Sequence, residues 1–343
     1  MKIMKKILLP LTLLSILTPS AFAGEVNVYS YRQEFLTKPL FDAFTKETGH
    51  NVNVVFAKKG LIERVKTEGK NSPADVIMTV DISNLNKITN LGIAQSVSTK
   101  NINENIPASM RDVDGTWFGL SQRSRVLYTS KDRVAVGSIK TYADLADPKW
   151  NGKICMRSAT HKYNVGLTAY MLTRHGESFT KNWLKGLEAN LARDPKGNDR
   201  AQVKAVFEGI CDIAIANDYY YGKMLANKDQ KAWADSVNIV WPDQAGNGVH
   251  VNLAGIAVAK YAPNKDIAVA LVEFLSSKKA QEIYASVNNE RPVNDSVSVS
   301  DKVKSWHKDL DGKLKIDGKV SLSDIAKNSK NAILLINEAG LNK

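Results

Sequence analysis

Cysteine, histidine and long apolar segments are scarce in this sequence, and each scarcity excludes a class of protein. The 343 residues include two cysteines and five histidines. The cysteines form no Cys-x-x-Cys pair and the histidines show no metal-ligand spacing, which excludes the common zinc-site patterns. Beyond the N-terminus, no stretch is apolar enough to span a bilayer. The Gly-x-Ser-x-Gly, P-loop, His-Glu-x-x-His and Gly-x-Gly-x-x-Gly motifs are also missing, so we do not expect an enzyme.

The N-terminal segment has the three parts of a secretory signal peptide. Three lysines among the first six residues precede an apolar run over residues 7–17, and small residues follow at 21–23. The apolar run is shorter than the roughly 20 residues that a spanning helix needs, and no cysteine marks a lipid-anchor site. We therefore predict a signal peptide at 1–23, cleaved after Ala23, and a mature protein that is soluble. Removal of 23 of the 343 residues leaves 320, a length that suggests two domains.

The charge of the chain is positive but not concentrated. The net charge of +12 falls to +9 when the three lysines of the signal peptide are removed. A high isoelectric point is often a sign of nucleic-acid binding. Here the basic residues are scattered and mixed with acidic ones, and the chain is expected to be exported. We therefore predict no nucleic-acid partner and interpret the charge as a general property of the surface.

The two cysteines, Cys155 and Cys211, each lie in an apolar segment. In an oxidising compartment, two cysteines usually form one disulfide. If the two segments are neighbouring strands, the bond is geometrically reasonable, and we expect a Cys155–Cys211 disulfide. It would close a loop of about 57 residues, for which the chain-entropy model gives roughly 4 kcal/mol.

Strand-like and helix-like segments alternate along the chain. The first five predict a strand, helix, strand, helix and strand at residues 26–30, 37–48, 52–56, 61–68 and 74–80. This βαβαβ order predicts a mostly parallel sheet covered by helices. A second α/β series begins near Gly152, residues 114–130 predict a β-ribbon, and residues 249–259 predict a return strand. Crossing strands without a long linker predict two α/β lobes that form a hinged clamshell around a ligand cleft.

The most unusual local feature is the run Tyr219-Tyr220-Tyr221, which follows a predicted buried strand. Tyr163 follows another strand of the same lobe, and the carboxyl ends of strands in open α/β sheets face the ligand crevice. Aromatic packing is the simplest alternative for such a run. Several phenols that converge on a cleft suit a hard, strongly Lewis-acidic cation such as Fe³⁺, because such a cation displaces their protons. Zn²⁺ prefers Cys and His instead, and Ca²⁺ prefers carboxylates and carbonyls.

Six segments of the sequence resemble the periplasmic ferric-ion-binding proteins of ABC importers. They are residues 28–33, 72–76, 152–158, 216–220, 250–252 and 291–294. The resemblance extends over nearly all of the mature chain, and its specific part is the paired-tyrosine motif at 216–220. It implies a type II periplasmic-binding-protein clamshell in which each lobe is a mixed, mostly parallel sheet flanked by helices. We expect the N-lobe at 24–121 plus 247–297 and the C-lobe at 122–246 plus 298–343.

The same resemblance implies the function and the ligands. The mature chain would be a periplasmic monomer that captures Fe(3+) and delivers it to an inner-membrane ABC permease. Carried over by motif, Tyr163, Tyr219 and Tyr220 are the expected iron ligands, and Tyr221 is expected to pack. Adjacent residues of a regular helix point about 100° apart, so the pair reaches one ion only from an irregular helix start. His161, two residues before Tyr163, is expected to be a solvated loop residue.

The loop after the first strand departs from the family pattern. Some members have a histidine there, whereas this chain has Arg32-Gln33-Glu34. The departure leaves room for an exogenous anion such as carbonate or bicarbonate. Arg32, Arg123 and Arg157 are the candidates to hold that anion, because a guanidinium presents a planar fork of donors. Salt bridging is the alternative role of Arg32 and Arg123, and Arg125 is expected to be structural.

Two other functions are compatible with some of the same residues. The same fold could bind an organic solute, such as a polyamine, thiamine or a small anion, and cleft aromatics would then stack on it. An enzyme is the weaker alternative, since the fold alone does not exclude one. Visible absorption separates iron from an organic solute, because charge transfer between phenolate and Fe³⁺ absorbs visible light.

Overall fold

The computed structural model describes residues 23–310 and 314–341, without the side chains of residues 308 and 309. The predicted signal peptide lies outside the described residues, except for Ala23. Regular structure begins at Glu25, two residues after the predicted cleavage point. Within the described ranges, no helix is both long enough and apolar enough to cross a membrane.

The strands of the described residues form one continuous mixed sheet in the order β2-β1-β3-β8-β4-β6-β5, and β7 and β9 also pair with β4. In chain order they are β1 (Glu25–Ser30), β2 (Asn51–Phe56), β3 (Val76–Thr79), β4 (Phe118–Ser130), β5 (Ile154–Cys155), β6 (Ile213–Asn217), β7 (Val237–Val240), β8 (Val251–Val258) and β9 (Arg291–Pro292). Strand β1 is parallel to both β2 and β3, as the βαβαβ pattern predicts. Strand β8 returns antiparallel to both β3 and β4.

Helices cover the sheet in each lobe. They are α1 (Glu34–Thr48), α2 (Leu61–Glu68), α3 (Ile82–Asn90), α4 (Lys100–Asn105), α5 (Lys162–His175), α6 (Glu177–Ala189), α7 (Asp199–Phe207), α8 (Tyr219–Leu225), α9 (Lys231–Asp235), α10 (Lys265–Ser276), α11 (Lys278–Ser286), α12 (Asp301–Lys304), α13 (Leu322–Lys327) and α14 (Ser329–Glu338). Helix α1 illustrates the pattern, because it buries Leu40, Phe41 and Phe44 and ends at Gly49 in the left-handed region.

The long strand β4 belongs to both lobes. Residues 118–124 pair with β8 and β9, whereas residues 125–130 pair with β6 and β7. The partner strands of β4 change between Ser124 and Arg125, shortly after the predicted lobe boundary at 121/122. The predicted β-ribbon over residues 114–130 is wrong, because β8 and β6 occupy the place that a hairpin partner of β4 would take. A turn around Asp114 and Gly115 is present, but it closes only an isolated bridge between Arg111 and Phe118, the first residue of β4.

The C-terminal helices contact both lobes. Helix α13 packs against α3 of the N-lobe and α5 of the C-lobe, and α14 packs against α5 and α6. The hydroxyl oxygens of Ser83 and Ser329 lie 2.6 Å apart across this contact. Asn328 also donates a 2.9 Å hydrogen bond to the Thr173 hydroxyl. The tail therefore adds to the C-lobe, where the sequence places it, and also touches the N-lobe.

The disulfide expected from the sequence is present at the core of the C-lobe. Cys155 on β5 bonds to Cys211, two residues before β6, and the two Cα atoms are 5.9 Å apart. Strands β5 and β6 are parallel neighbours, with Ile154 opposite Ile213. Both cysteines are buried. The bond therefore ties together the two strands from which the tyrosine-bearing segments leave.

Candidate functional site

The parallel strands β5 and β6 end at the same edge of the C-lobe sheet. After β5, a short segment leads to α5, whose second residue is Tyr163. After β6, α8 begins directly at Tyr219. Because both helices start at the carboxyl edge of parallel strands, their first turns lie beside each other and face the cleft. The structure therefore brings together the tyrosines that the sequence predicts as a group.

The start of α8 allows its first two tyrosines to lie side by side. The Asp218 carboxylate caps the helix by accepting a 2.8 Å hydrogen bond from the Tyr219 backbone N–H. The ring centroids of Tyr219 and Tyr220 are 4.2 Å apart, with an interplanar angle of 32°. Tyr221 points elsewhere and packs against Tyr128 and Trp306. The prediction that Tyr221 is a packing residue is confirmed.

The pKa values of the tyrosine pair are raised in the protein. Burial, followed by the proximity of Tyr163 and Tyr220, raises the pKa of Tyr219 well above its ordinary value. Burial and the proximity of Tyr163 also raise the pKa of Tyr220. Both phenols are therefore protonated at neutral pH when no cation competes for them. A ligand that needs phenolates must displace these protons, as only a strongly charged cation can.

Three guanidinium groups surround the Tyr163 ring. The guanidinium carbons of Arg157, Arg123 and Arg125 lie 5.3, 5.7 and 5.9 Å from the ring centroid. Arg123 is buried, yet its Nε and one terminal nitrogen have no hydrogen-bond partner. Buried donors are rarely left without a partner. The free donors of Arg123 therefore indicate a place for an anionic group next to the tyrosines.

The other two arginine candidates are already paired. Arg157 lies 3.5 Å from the Asp199 carboxylate, although its Nε has no partner. Arg32 forms a fully buried ion pair with Glu290 at 2.9 Å, and Ser121 donates a further hydrogen bond to Glu290. Arg32 thus has the salt-bridging role that the sequence left open as its alternative. Arg123 fits an anion best, and Arg157 fits less well.

Arg125 organises the base of the site, which agrees with its predicted structural role. It donates hydrogen bonds to the side chains of Asn164 at 2.7 Å and of Asp199 and Asn217 at 3.1 Å. Asn164 directly follows Tyr163, and Asn217 lies two residues before Tyr219. One buried guanidinium thereby fixes both tyrosine-bearing segments. Sequence reasoning does not identify Asp199, because a carboxylate at the start of a helix usually faces solvent.

His161 is not the solvated loop residue that the sequence suggests. Its Nδ1 accepts the backbone N–H of Tyr163 at 3.3 Å, so it caps α5. Burial, reinforced by the charges of Arg157 and Arg125, lowers its pKa to about 2. The imidazole is therefore neutral and serves to position Tyr163. Capping by histidine is uncommon, since Ser, Thr, Asp and Asn are the usual residues.

The N-lobe offers few oxygen ligands to a cation at the tyrosines. Gln33 and Glu34 are exposed at the start of α1, and Glu290 is occupied by Arg32. Within residues 23–310 and 314–341, no three His, Cys, Asp or Glu side chains are grouped to hold a metal ion. Such carboxylate, imidazole or thiolate groups therefore do not form a metal site within the described residues, and the phenol oxygens of Tyr163, Tyr219 and Tyr220 remain the ligands that the sequence predicts.

Known proteins resemble this chain over almost its full length. A sequence profile of the bacterial extracellular solute-binding proteins matches residues 71–314. Iron uptake protein A1 of Synechocystis sp. is 41% identical over 319 residues, which cover 92% of this chain and 87% of that protein. The apo ferric ion-binding protein A of Pasteurella haemolytica superimposes with a TM-score of 0.88 at 49% identity, covering 94% of this chain and 99% of that one. The Trichodesmium protein IdiA (FutA), solved with iron and citrate, gives a TM-score of 0.86 at 42% identity over 93% of this chain and all of its own.

Proposed function

This chain belongs to the bacterial extracellular solute-binding proteins, within the group that contains periplasmic ferric-ion-binding proteins, and from that premise we propose that it captures Fe³⁺ through Tyr163, Tyr219 and Tyr220. It is a binding protein with the type II clamshell fold and not an enzyme. The observation that carries the proposal is the contact between the Tyr219 and Tyr220 rings beside Tyr163. Adjacent tyrosines with rings 4.2 Å apart can direct two phenol oxygens to one point.

Charge balance suits ferric iron together with an anion. Three phenolates neutralise Fe³⁺, and the guanidinium of Arg123 neutralises much of the charge of an added anion. Uncompensated buried charge is costly. Iron binding releases the phenolic protons, so the affinity falls as the pH falls. The raised pKa of Tyr219 and Tyr220 strengthens this competition.

A synergistic anion completes the proposed site. Arg123 carries buried donors without partners, and Arg157 has one more. Carbonate or bicarbonate fits this arrangement, because two of its oxygens can accept from a guanidinium fork while another faces the iron. Arg32 also has one buried donor without a partner, its Nε, but Glu290 holds its Nη2, so Arg32 is a weaker candidate than Arg123.

The iron-loaded protein would act in the periplasm as a monomer and deliver its cargo to an inner-membrane ABC permease. The N-terminal signal sequence and the extracellular solute-binding family both support export. A clamshell that closes on its cargo can present one conformation to a membrane partner, which suits delivery to a permease. The names of the similar iron uptake and ferric iron-binding proteins agree with this role.

The decisive experiment is a visible absorption spectrum of the pure protein with Fe³⁺ and bicarbonate. We expect a broad charge-transfer band in the wild type that is lost in the Tyr219→Phe/Tyr220→Phe variant. Tyr221→Phe is the matched control, because this residue belongs to the same run but packs against Tyr128 and Trp306. It should retain the band. A wild type without a band would exclude ferric iron and favour an organic solute.

The role of the anion can be tested with the same visible absorption band. Iron loading of the wild type should depend on bicarbonate, and the Arg123→Met variant should lose most of that dependence. Methionine keeps much of the volume of the side chain but offers no donors. Equal bicarbonate dependence in the variant would assign the anion to another residue.

A further inference from the structure

The proposed iron ligands all belong to the C-lobe, which raises the question of which contacts hold the two lobes together over the site. Tyr163 lies on α5, and Tyr219 and Tyr220 lie on α8. A ligand shifts a conformational equilibrium only through contacts that differ between the two states. Iron bound to one lobe alone would therefore not favour closure unless it acted on residues that touch the other lobe.

Lys162, which directly precedes Tyr163, reaches the N-lobe on one side of the cleft. Its ammonium lies 4.0 Å from the Asp81 carboxylate and 5.2 Å from the centroid of the Tyr31 ring. Asp81 is the N-cap of α3, and the Tyr31 hydroxyl accepts a hydrogen bond from the backbone of Ile62. Both N-lobe partners are thus held by their own lobe. Lys162 contributes the C-lobe side of this contact.

Lys223 makes a second contact between the C-lobe and the N-lobe. It lies one turn after Tyr219 on α8 and donates a 3.0 Å hydrogen bond to the carbonyl of Val287. Its ammonium also lies 5.3 Å from the Phe35 ring centroid. The preceding residue, Gly222, approaches the N-lobe so closely that an added Cβ would lie 2.7 Å from the Asn289 side chain. The turn that carries the tyrosine pair is therefore packed directly against the N-lobe.

We propose that Lys162 and Lys223 form a two-point latch that closes the lobes over the iron site without an N-lobe metal ligand. Each lysine shares a helical turn with a proposed iron ligand, so fixing the phenolates on one ion also fixes the backbone from which the lysines extend. Each lysine finds both a polar acceptor and an aromatic face on the N-lobe, and both kinds of contact stabilise an ammonium group. The latch rests on the proposed function for its effect on iron.

The test combines iron release with the shape of the protein. Lys162→Met and Lys223→Met should each accelerate the loss of the visible band to a competing chelator by about fivefold. The double variant should do so by about 25-fold, since the two contacts are independent. The band itself should be unchanged, because the ligands remain. In small-angle X-ray scattering, the double variant should have a larger radius of gyration than the wild type, both with and without iron.

Lys204→Met is the matched control. Lys204 pairs with Glu208 at 3.0 Å and lies 5.7 Å from the Trp233 ring centroid, but both partners belong to its own lobe. Its variant should behave as the wild type in both measurements. A double variant with wild-type release and radius of gyration would refute the latch. A wild type that binds no iron would refute the proposed function, whereas the scattering comparison of the iron-free proteins would still decide the latch.

Discussion

The buried ion pair between Arg125 and Asp199 offers a sharp test of how the site is supported. The two side chains are 2% and 0% exposed and 3.1 Å apart. The change Asp199→Asn keeps the shape of the side chain and removes its charge. It leaves Arg125 and Arg157 facing an amide instead of a carboxylate, so one buried positive charge loses its compensation.

The expected cost follows from the burial of the pair. Removing one partner of a buried ion pair costs about 3–5 kcal/mol, because the remaining charge stays desolvated. We expect about 3 kcal/mol here, since Arg125 keeps its hydrogen bonds to Asn164, Asn217 and the Ile215 carbonyl. With a typical urea dependence for a protein of this size, that loss lowers the midpoint of unfolding by about 1 M.

Urea unfolding of the iron-free protein, followed by circular dichroism, measures this loss. The control is Asp235→Asn, which breaks the exposed pair between Lys231 and Asp235, whose side chains are 57% and 50% exposed. Exposed pairs contribute less than about 1 kcal/mol, so the control midpoint should barely move. Equal effects of the two substitutions would show that the buried network does not support the C-lobe as argued.

Three further predictions concern the disulfide, acid stability and proton release. Reduction of Cys155–Cys211 should lower the free energy of unfolding by about 4 kcal/mol, because the bond spans 56 residues, and a Cys155→Ser/Cys211→Ser variant should not respond to reductant. Burial, reinforced by the charge of Arg125, lowers the pKa of His250 to about 3. Because the unfolded chain takes up a proton on this histidine below about pH 6.5 and the folded protein does not, the contribution of the neutral His250 to stability is complete above about pH 6.5 and is lost as the pH falls towards 3. Between pH 8 and pH 5 the share of His250 in this loss is about 2 kcal/mol, so His250→Gln should reduce the difference between urea unfolding at the two pH values by that amount. His161 and His307, whose pKa values are also lowered by burial, keep their own shares. When Fe³⁺ is supplied as a preformed chelate, so that its own hydrolysis releases nothing, the wild type should release more protons than the Tyr219→Phe/Tyr220→Phe variant in a pH-stat titration near neutral pH, and equal release would contradict phenolate ligation.

Local patterns in the sequence predict most of the elements that build the site. The strand at residues 52–56 and the helix at 61–68 are found within one residue of their expected bounds. The disulfide is expected on the condition that the two cysteine-bearing segments are neighbouring strands, and the pairing of β5 with β6 meets that condition. The meeting of Tyr163 with Tyr219 and Tyr220 follows as well, because parallel neighbouring strands end at the same edge.

Other features depend on packing between distant segments and could not be predicted. Arg32 is expected as an anion ligand, but it pairs with Glu290, which lies 258 residues further along the chain. The predicted β-ribbon fails for the same reason, since β4 finds its partners in β8 and β6 rather than in its own sequence neighbours.

The sequence by itself determined the α/β class and placed two cysteines and the candidate tyrosines beside strand-like segments, because these features depend on residue type and on short-range order along a strand or helix. Its N-terminal pattern likewise predicts export. Only the tertiary structure decided which arginine keeps free donors, that Arg125 and Asp199 support the site, and that Lys162 and Lys223 span the cleft. Those roles are set by which charged groups share a buried volume. That depends on how whole elements pack, and no local pattern of residues records it.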